Sequence, residues 1–142
     1  MTGSNEFWTA SRRRQNTAGA GSESESQKQF FRWFKLVQPK IANNILCFSI
    51  PNGGARNAVT GARLKAEGCL AGVPDAFLAA ARCGKHGLFI EFKKKNGGTL
   101  SKSQRDVFPL LEAAGYGVVV CRGFDEARQA VEDYLAGRLF NG

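Results

Sequence analysis

The stretch Gly87-Leu88-Phe89-Ile90-Glu91-Phe92-Lys93 has the pattern of a β-strand with two different faces. Side chains alternate along a strand, so Leu88, Ile90 and Phe92 share one face, and Glu91 and Lys93 share the other. A carboxylate and an amine therefore project from the same side. We expect this pair to be exposed and to contribute little to stability.

A second carboxylate, Asp75, follows Pro74 and opens another predicted strand at 75–81. The turn-prone segment 82–86 joins the two strands, so Asp75 and Glu91 can converge beside Lys93. Two carboxylates can hold Mg²⁺ or Mn²⁺, and the bound metal activates water for phosphodiester hydrolysis. A lysine nearby can offset the charge of the transition state. The alternative interpretation is an ordinary cross-strand ion pair.

The other predicted elements continue outward from these strands. Ser22, Ser24 and Ser26 are alternative caps of a first helix that Pro39 closes. Pro109 predicts a kink or an early stop in a later helix. The remaining segments are a strand at 45–50, helices at 58–67, 102–114 and 124–137, and a strand at 117–121. This order predicts an α/β fold with a mixed central β-sheet flanked by α-helices.

The charge is unevenly distributed over a chain whose formal net charge is +8. Residues 82–105 contain seven Lys or Arg against one acidic residue, and residues 106–136 contain two against six. This asymmetry favours a polyanionic ligand. The four cysteines form no C-x-x-C pair and His86 is the single histidine, which argues against structural zinc.

Composition divides the chain into two parts. Residues 1–22 are polar and basic without periodicity, which indicates a disordered arm. Residues 23–138 carry the periodic segments and are predicted to form one domain. No apolar run is long enough for a membrane span or an export signal, so we expect a cytoplasmic protein.

Several polar and basic residues are candidates for contacts with DNA. Gly53 and Gly54 let backbone N–H groups approach an anion, although a plain tight turn explains them equally well. Basic side chains that follow the strand at 87–93 would add affinity for DNA that does not depend on the DNA sequence. The candidates are Asn52, Arg56, Lys65, Lys94, Lys95, Lys102 and Arg105.

Several segments, in order, resemble the VRR-NUC family of the PD-(D/E)XK nuclease superfamily. They are Ile50-Pro51-Asn52-Gly53-Gly54-Ala55-Arg56, 61–68, Ala71-Gly72-Val73-Pro74-Asp75, 87–93, Gly98-Thr99-Leu100-Ser101-Lys102-Ser103-Gln104, Ala114-Gly115-Tyr116 and Val118-Val119-Val120-Cys121. The resemblance extends over about residues 24–136. Pro109 and the triple lysine at 93–95 depart from the family pattern.

The resemblance implies roles for individual residues. Asp75, Glu91 and the backbone carbonyl of Phe92 would hold the divalent metal, and Lys93 would be the catalytic lysine. The family also places a glutamate of the first helix near the metal, here Glu25 or, alternatively, Glu23. Gln104 matches a glutamine near the active site, but with Ser101 it also fits a capping box.

The resulting hypothesis is a metal-dependent DNA endonuclease with Mg²⁺ or Mn²⁺ as cofactor. Relatives imply selectivity for branched DNA, as in a homodimeric Holliday junction resolvase. A nicking or flap nuclease of a phage replication or packaging module is an alternative. A DNA-binding module without catalysis is a third possibility, which the joint presence of Asp75, Glu91 and Lys93 disfavours.

Overall fold

The computed structural model describes residues 22–51 and 58–140. The elements are α1 (Glu23–Ile41), β1 (Leu46–Ser49), α2 (Ala58–Ala66), β2 (Ala76–Ala79), β3 (Leu88–Lys93), α3 (Lys102–Ala113), β4 (Gly117–Arg122) and α4 (Phe124–Leu135). The predicted order of helices and strands is confirmed. The predicted arm lies outside the described residues, except for Ser22.

The four strands form one mixed sheet in the order β1-β2-β3-β4. The pairs β1–β2 and β2–β3 are antiparallel, and β3–β4 is parallel. Parallel neighbours need a crossover, which α3 supplies. The prediction of an α/β fold with a mixed sheet is confirmed, and β3 is an inner strand.

The hydrophobic core lies between one face of the sheet and the helices α1 and α4. Leu88, Ile90 and Phe92 of β3 point into this core, and they are fully buried together with Phe30 of α1 and Val131 and Tyr134 of α4; all six have 0% exposure. The Phe30 and Phe92 rings lie 5.6 Å apart. Because a shift of one residue would reverse both faces of β3, this packing fixes the side from which Glu91 and Lys93 project.

The helices differ from prediction at both prolines. Ser22 caps α1, since its side chain accepts a hydrogen bond from the N–H of Glu25 at 3.1 Å. The prediction that Pro39 closes this helix is wrong, because α1 continues to Ile41. Of the two outcomes predicted at Pro109, a kink or an early stop, the early stop is wrong, because α3 continues past this exposed proline to Ala113. Among the described helices, none is long and apolar enough to cross a bilayer.

Candidate active site

The site is built on the face of β3 that is turned away from the main core. The Lys93 Nζ lies 3.3 Å from the Glu91 Oε2, so the alternation of side chains brings the two together as expected. Both residues are buried, with 2% exposure for Glu91 and 7% for Lys93. The prediction of an exposed pair is therefore wrong, because α3 and the segment before β2 cover this face.

Asp75 immediately precedes β2 and is fixed on two sides. Its Oδ2 accepts a hydrogen bond from the N–H of Phe92 at 2.8 Å. Its backbone carbonyl accepts one from the N–H of Ile50 at 2.7 Å. The carboxylate is thus attached to β3 next to Glu91, and the predicted convergence of the two acidic side chains is observed.

Gly72 allows the segment before Asp75 to approach α3. Its φ of +94° lies in the region that favours glycine, and an added Cβ would be 2.4 Å from the backbone oxygen of Ser103. No larger residue fits without moving the first turn of α3. The contact brings the segment carrying Asp75 close to Gln104.

Gln104 satisfies both of the roles that the sequence left open. Its Oε1 accepts a hydrogen bond from the Ser101 N–H at 2.9 Å, and the Ser101 Oγ accepts one from the Gln104 N–H at 3.2 Å. This reciprocal pair is the predicted capping box. The Gln104 Nε2 also donates to the Glu91 Oε2 at 2.8 Å. The cap of α3 therefore fixes the amide that holds Glu91.

The two carboxylates perturb each other. Burial raises the pKa of Glu91 to about 7, with a further rise from the charge of Asp75 and an opposing effect from Lys93. Burial also raises the pKa of Asp75, although the Phe92 N–H bond counteracts it. Two buried acids held this close favour a shared cation or a shared proton.

One atom of this cluster lacks a partner. Among the described residues, the Glu91 Oε1 is the buried side-chain oxygen or nitrogen atom without a hydrogen bond. An unsatisfied buried acceptor is costly, and a bound cation would satisfy it. No three His, Cys, Asp or Glu side chains of the described residues form a ligand group. Two carboxylates nevertheless suit Mg²⁺, which keeps several water ligands in proteins.

The first helix offers Glu23 or Glu25 as a third carboxylate. The negative charge of Glu23 adds to the rise in the pKa of Asp75 that burial causes. The Glu25 Oε1 instead accepts a hydrogen bond from the Lys28 Nζ at 3.3 Å. Both glutamates line the groove that contains Asp75, so Glu25 and Glu23 both remain candidates for the third carboxylate.

The predicted DNA-binding residues are dispersed in the structure. Asn52 and Arg56 lie outside the described residues. Lys65 is exposed on α2, which contacts no other described helix or strand, so the structure does not bring it to the site. The other four candidates are exposed near the end of β3 or on the first turn of α3: Lys94, Lys95, Lys102 and Arg105.

Arg122 is a residue that sequence reasoning missed. It lies opposite Lys93 in the parallel register of β3 and β4. Its Nη1 donates to the carbonyl oxygen of Gly98 at 2.5 Å and to that of Lys94 at 3.2 Å. These bonds close the loop that follows Lys93. Only the strand register reveals this role, and no local motif encodes it.

Comparisons with known proteins show the family to which the chain belongs. The family model described as "VRR-NUC domain" matches residues 23–125. The chain is similar to a solved structure named "VRR_NUC domain protein" with a TM-score of 0.70 and 27% identity; the match covers 84% of this chain and 92% of that one. No curated protein matches. The chain therefore belongs to the VRR-NUC family, whose members are nucleases of the PD-(D/E)XK type.

Proposed function

We propose that this protein is a divalent-metal-dependent endonuclease that hydrolyses DNA phosphodiester bonds. The observation that carries the proposal is the unpartnered, buried Oε1 of Glu91, adjacent to Asp75 and Lys93. We assign the ligands to Asp75, Glu91 and the backbone carbonyl of Phe92, and Glu25 or, alternatively, Glu23 of α1 would complete the set through a metal-bound water. Residues 23–138 form the nuclease unit in this proposal.

Each residue around the site has a separate role. When bound, Mg²⁺ or Mn²⁺ would polarise the phosphate and supply an acidic water ligand. The Lys93 ammonium orients the attacking water and stabilises the negative charge that develops on the phosphate. Gln104 holds the Glu91 Oε2 through its amide, which leaves the Oε1 available as a ligand. Phe92 positions Asp75 through its N–H.

The proposed substrate is branched DNA, cut by a homodimer as in Holliday junction resolution. A four-way junction presents pairs of equivalent strands, and a two-fold pair of subunits would present one site to each. The net charge of +8 supports binding to the phosphate backbone in this arrangement. Exposed Lys94 and Lys95, next to the site, are the proposed backbone contacts. A nicking or flap nuclease remains the second candidate, because the groove along α1 could receive an unpaired strand.

A substrate panel tests this proposal. Purified protein is incubated with a four-way junction, a flap and a linear duplex, each with Mg²⁺, Mn²⁺ or EDTA. We expect cleavage of the junction in Mg²⁺ or Mn²⁺ and none in EDTA. Cleavage in EDTA would exclude the metal mechanism. Preferential cleavage of the flap would favour the second candidate, the nicking or flap nuclease. Binding without cleavage under all conditions would indicate a non-catalytic DNA-binding module.

A further inference from the structure

An open groove of about 1340 Å³ extends along α1 away from the candidate site. Glu23 and Asp75 line one part of it, and Gln38 and Leu46 line another. The groove therefore connects the carboxylates of the site with the edge strand β1. The groove extends well beyond the proposed metal ligands and Lys93, so the proposed catalytic residues do not account for its length.

Three cations from α1 line this groove: Lys28, Arg32 and Lys35. The spacing i, i+4, i+7 places them on one side of the helix, opposite Phe30, which is fully buried in the core. The Lys28 Nζ forms an exposed ion pair with the Glu25 Oε1 at 3.3 Å. Arg32 and Lys35 are exposed and have no acidic partner within residues 22–51 and 58–140. Two uncompensated cations therefore face the groove.

The charges of the groove are ordered along the helix axis. Measured from Glu23, a rise of 1.5 Å per residue places Lys28, Arg32 and Lys35 at about 7, 13 and 18 Å. The end of the groove at Glu23 and Asp75 is negatively charged, so a metal ion must bind there before a phosphate can approach. The part of the groove with Lys28, Arg32 and Lys35 attracts phosphates directly. A strand stacked at about 3.4 Å per nucleotide would cover this length in about five nucleotides.

Apolar side chains accompany the cations. Phe31 is half-buried in the groove wall, Ile50 is half-buried near Asp75, and Leu46 is 64% exposed on β1. Duplex DNA presents phosphates and sugars to such a surface and keeps its bases stacked inside. An unpaired strand can place its bases against apolar and aromatic side chains while cations follow its backbone.

We propose that the groove along α1 binds a single-stranded segment of the DNA substrate, about five nucleotides long, next to the phosphate that is cut. Arg32 and Lys35 contact its backbone, and Phe31 and Leu46 contact its bases. This inference rests on the proposed nuclease function and favours its second candidate, the flap nuclease, because a fully paired four-way junction offers no single-stranded segment of this length. Branched or flap DNA with an unpaired arm would then be preferred over continuous duplex.

The first experiment measures binding in EDTA, so that cleavage plays no part. A labelled single strand of twelve nucleotides and the matching duplex are titrated with wild type, R32Q/K35Q and the control K40Q. Lys40 is exposed on the same helix but does not line the groove. Loss of two phosphate contacts should weaken single-strand affinity on the order of 20-fold near 0.1 M salt and lower the salt slope by about 1.4. The affinity of R32Q/K35Q for the duplex should change less than about twofold, and so should the affinities of K40Q for the single strand and for the duplex.

A second experiment uses flap substrates with unpaired arms of two to eight nucleotides in Mg²⁺. We expect the KM of wild type to fall as the arm lengthens to about five nucleotides and the KM of R32Q/K35Q to be insensitive to arm length. Unchanged single-strand affinity of R32Q/K35Q, or an equal loss for single strand and duplex, would overturn the inference. If binding follows the prediction but wild type cuts nothing, the proposed nuclease function fails and the strand-binding groove stands.

Discussion

At the residue scale, the unusual feature is that Glu91 and Lys93 are charged and buried together. Removing one member of a buried pair leaves the other uncompensated, so such pairs are sensitive to substitution. The pair holds only one carboxylate oxygen of Glu91, and the other has no partner among the described residues. Stability alone does not require this arrangement, whereas binding of a cation explains it.

Asp75→Asn provides the first test at this scale. The amide oxygen can still accept the bond from the Phe92 N–H, so the fold should be retained, but one negative ligand is lost. We expect the affinity for Mg²⁺ or Mn²⁺ in isothermal titration calorimetry to fall by about tenfold or more, because hard cations depend on ligand charge. Thermal unfolding of the metal-free variant provides the control for folding, and an unchanged metal affinity would show that Asp75 is not a ligand.

At the element scale, alternation and capping could be read from the sequence, but spatial register could not. The face of β3 that carries Glu91 and Lys93 follows from a period of two residues, and the pattern Ser101-x-x-Gln104 encodes the N-terminal cap of α3. The burial of that face depends on α3 and on the close approach at Gly72, which are contacts between distant segments. The role of Arg122 likewise depends on the parallel register of β3 and β4.

The two roles of Gln104 can be separated by a pair of substitutions. Gln104→Glu keeps an acceptor for the Ser101 N–H but removes the donor to Glu91, so activity should fall at least tenfold with little loss of the helix cap. Ser101→Ala should lower the free energy of unfolding by about 1 kcal/mol and largely retain activity. Chemical denaturation and cleavage rates measure both effects. Full activity of Gln104→Glu would mean that its amide does not position Glu91.

At the scale of the whole molecule, the sequence predicted the class of fold and the order of all eight elements. It misplaced the end of α1, because a proline does not by itself stop a helix: α1 continues two residues past Pro39, and the Ala42 N–H then donates to the Gln38 carbonyl. It also could not show the groove beside α1, which residues of α1 and of the edge strand β1 line together. Such a surface depends on how distant segments pack.

Oligomeric state is the prediction that belongs to this scale. If the protein cuts both strands of a junction, its solution mass should be twice the 15.4 kDa of one chain. Light scattering coupled to size exclusion measures this mass, with and without junction DNA. A monomer under both conditions would contradict the proposed two-fold arrangement and favour cleavage of one strand at a time.

The most direct test of the proposed nuclease site is single-turnover cleavage of a four-way junction in Mg²⁺ by wild type and Lys93→Met. Methionine retains an apolar stem in this buried position but lacks the ammonium and leaves Glu91 uncompensated, so the free energy of unfolding should fall while DNA binding persists, and chemical denaturation measures the fraction that is folded. We predict that wild type cleaves and that the variant is slower by about 100-fold or more, with DNA affinity in EDTA unchanged. A folded Lys93→Met protein that cleaves at the wild-type rate would show that Glu91 and Lys93 are not the centre of the reaction.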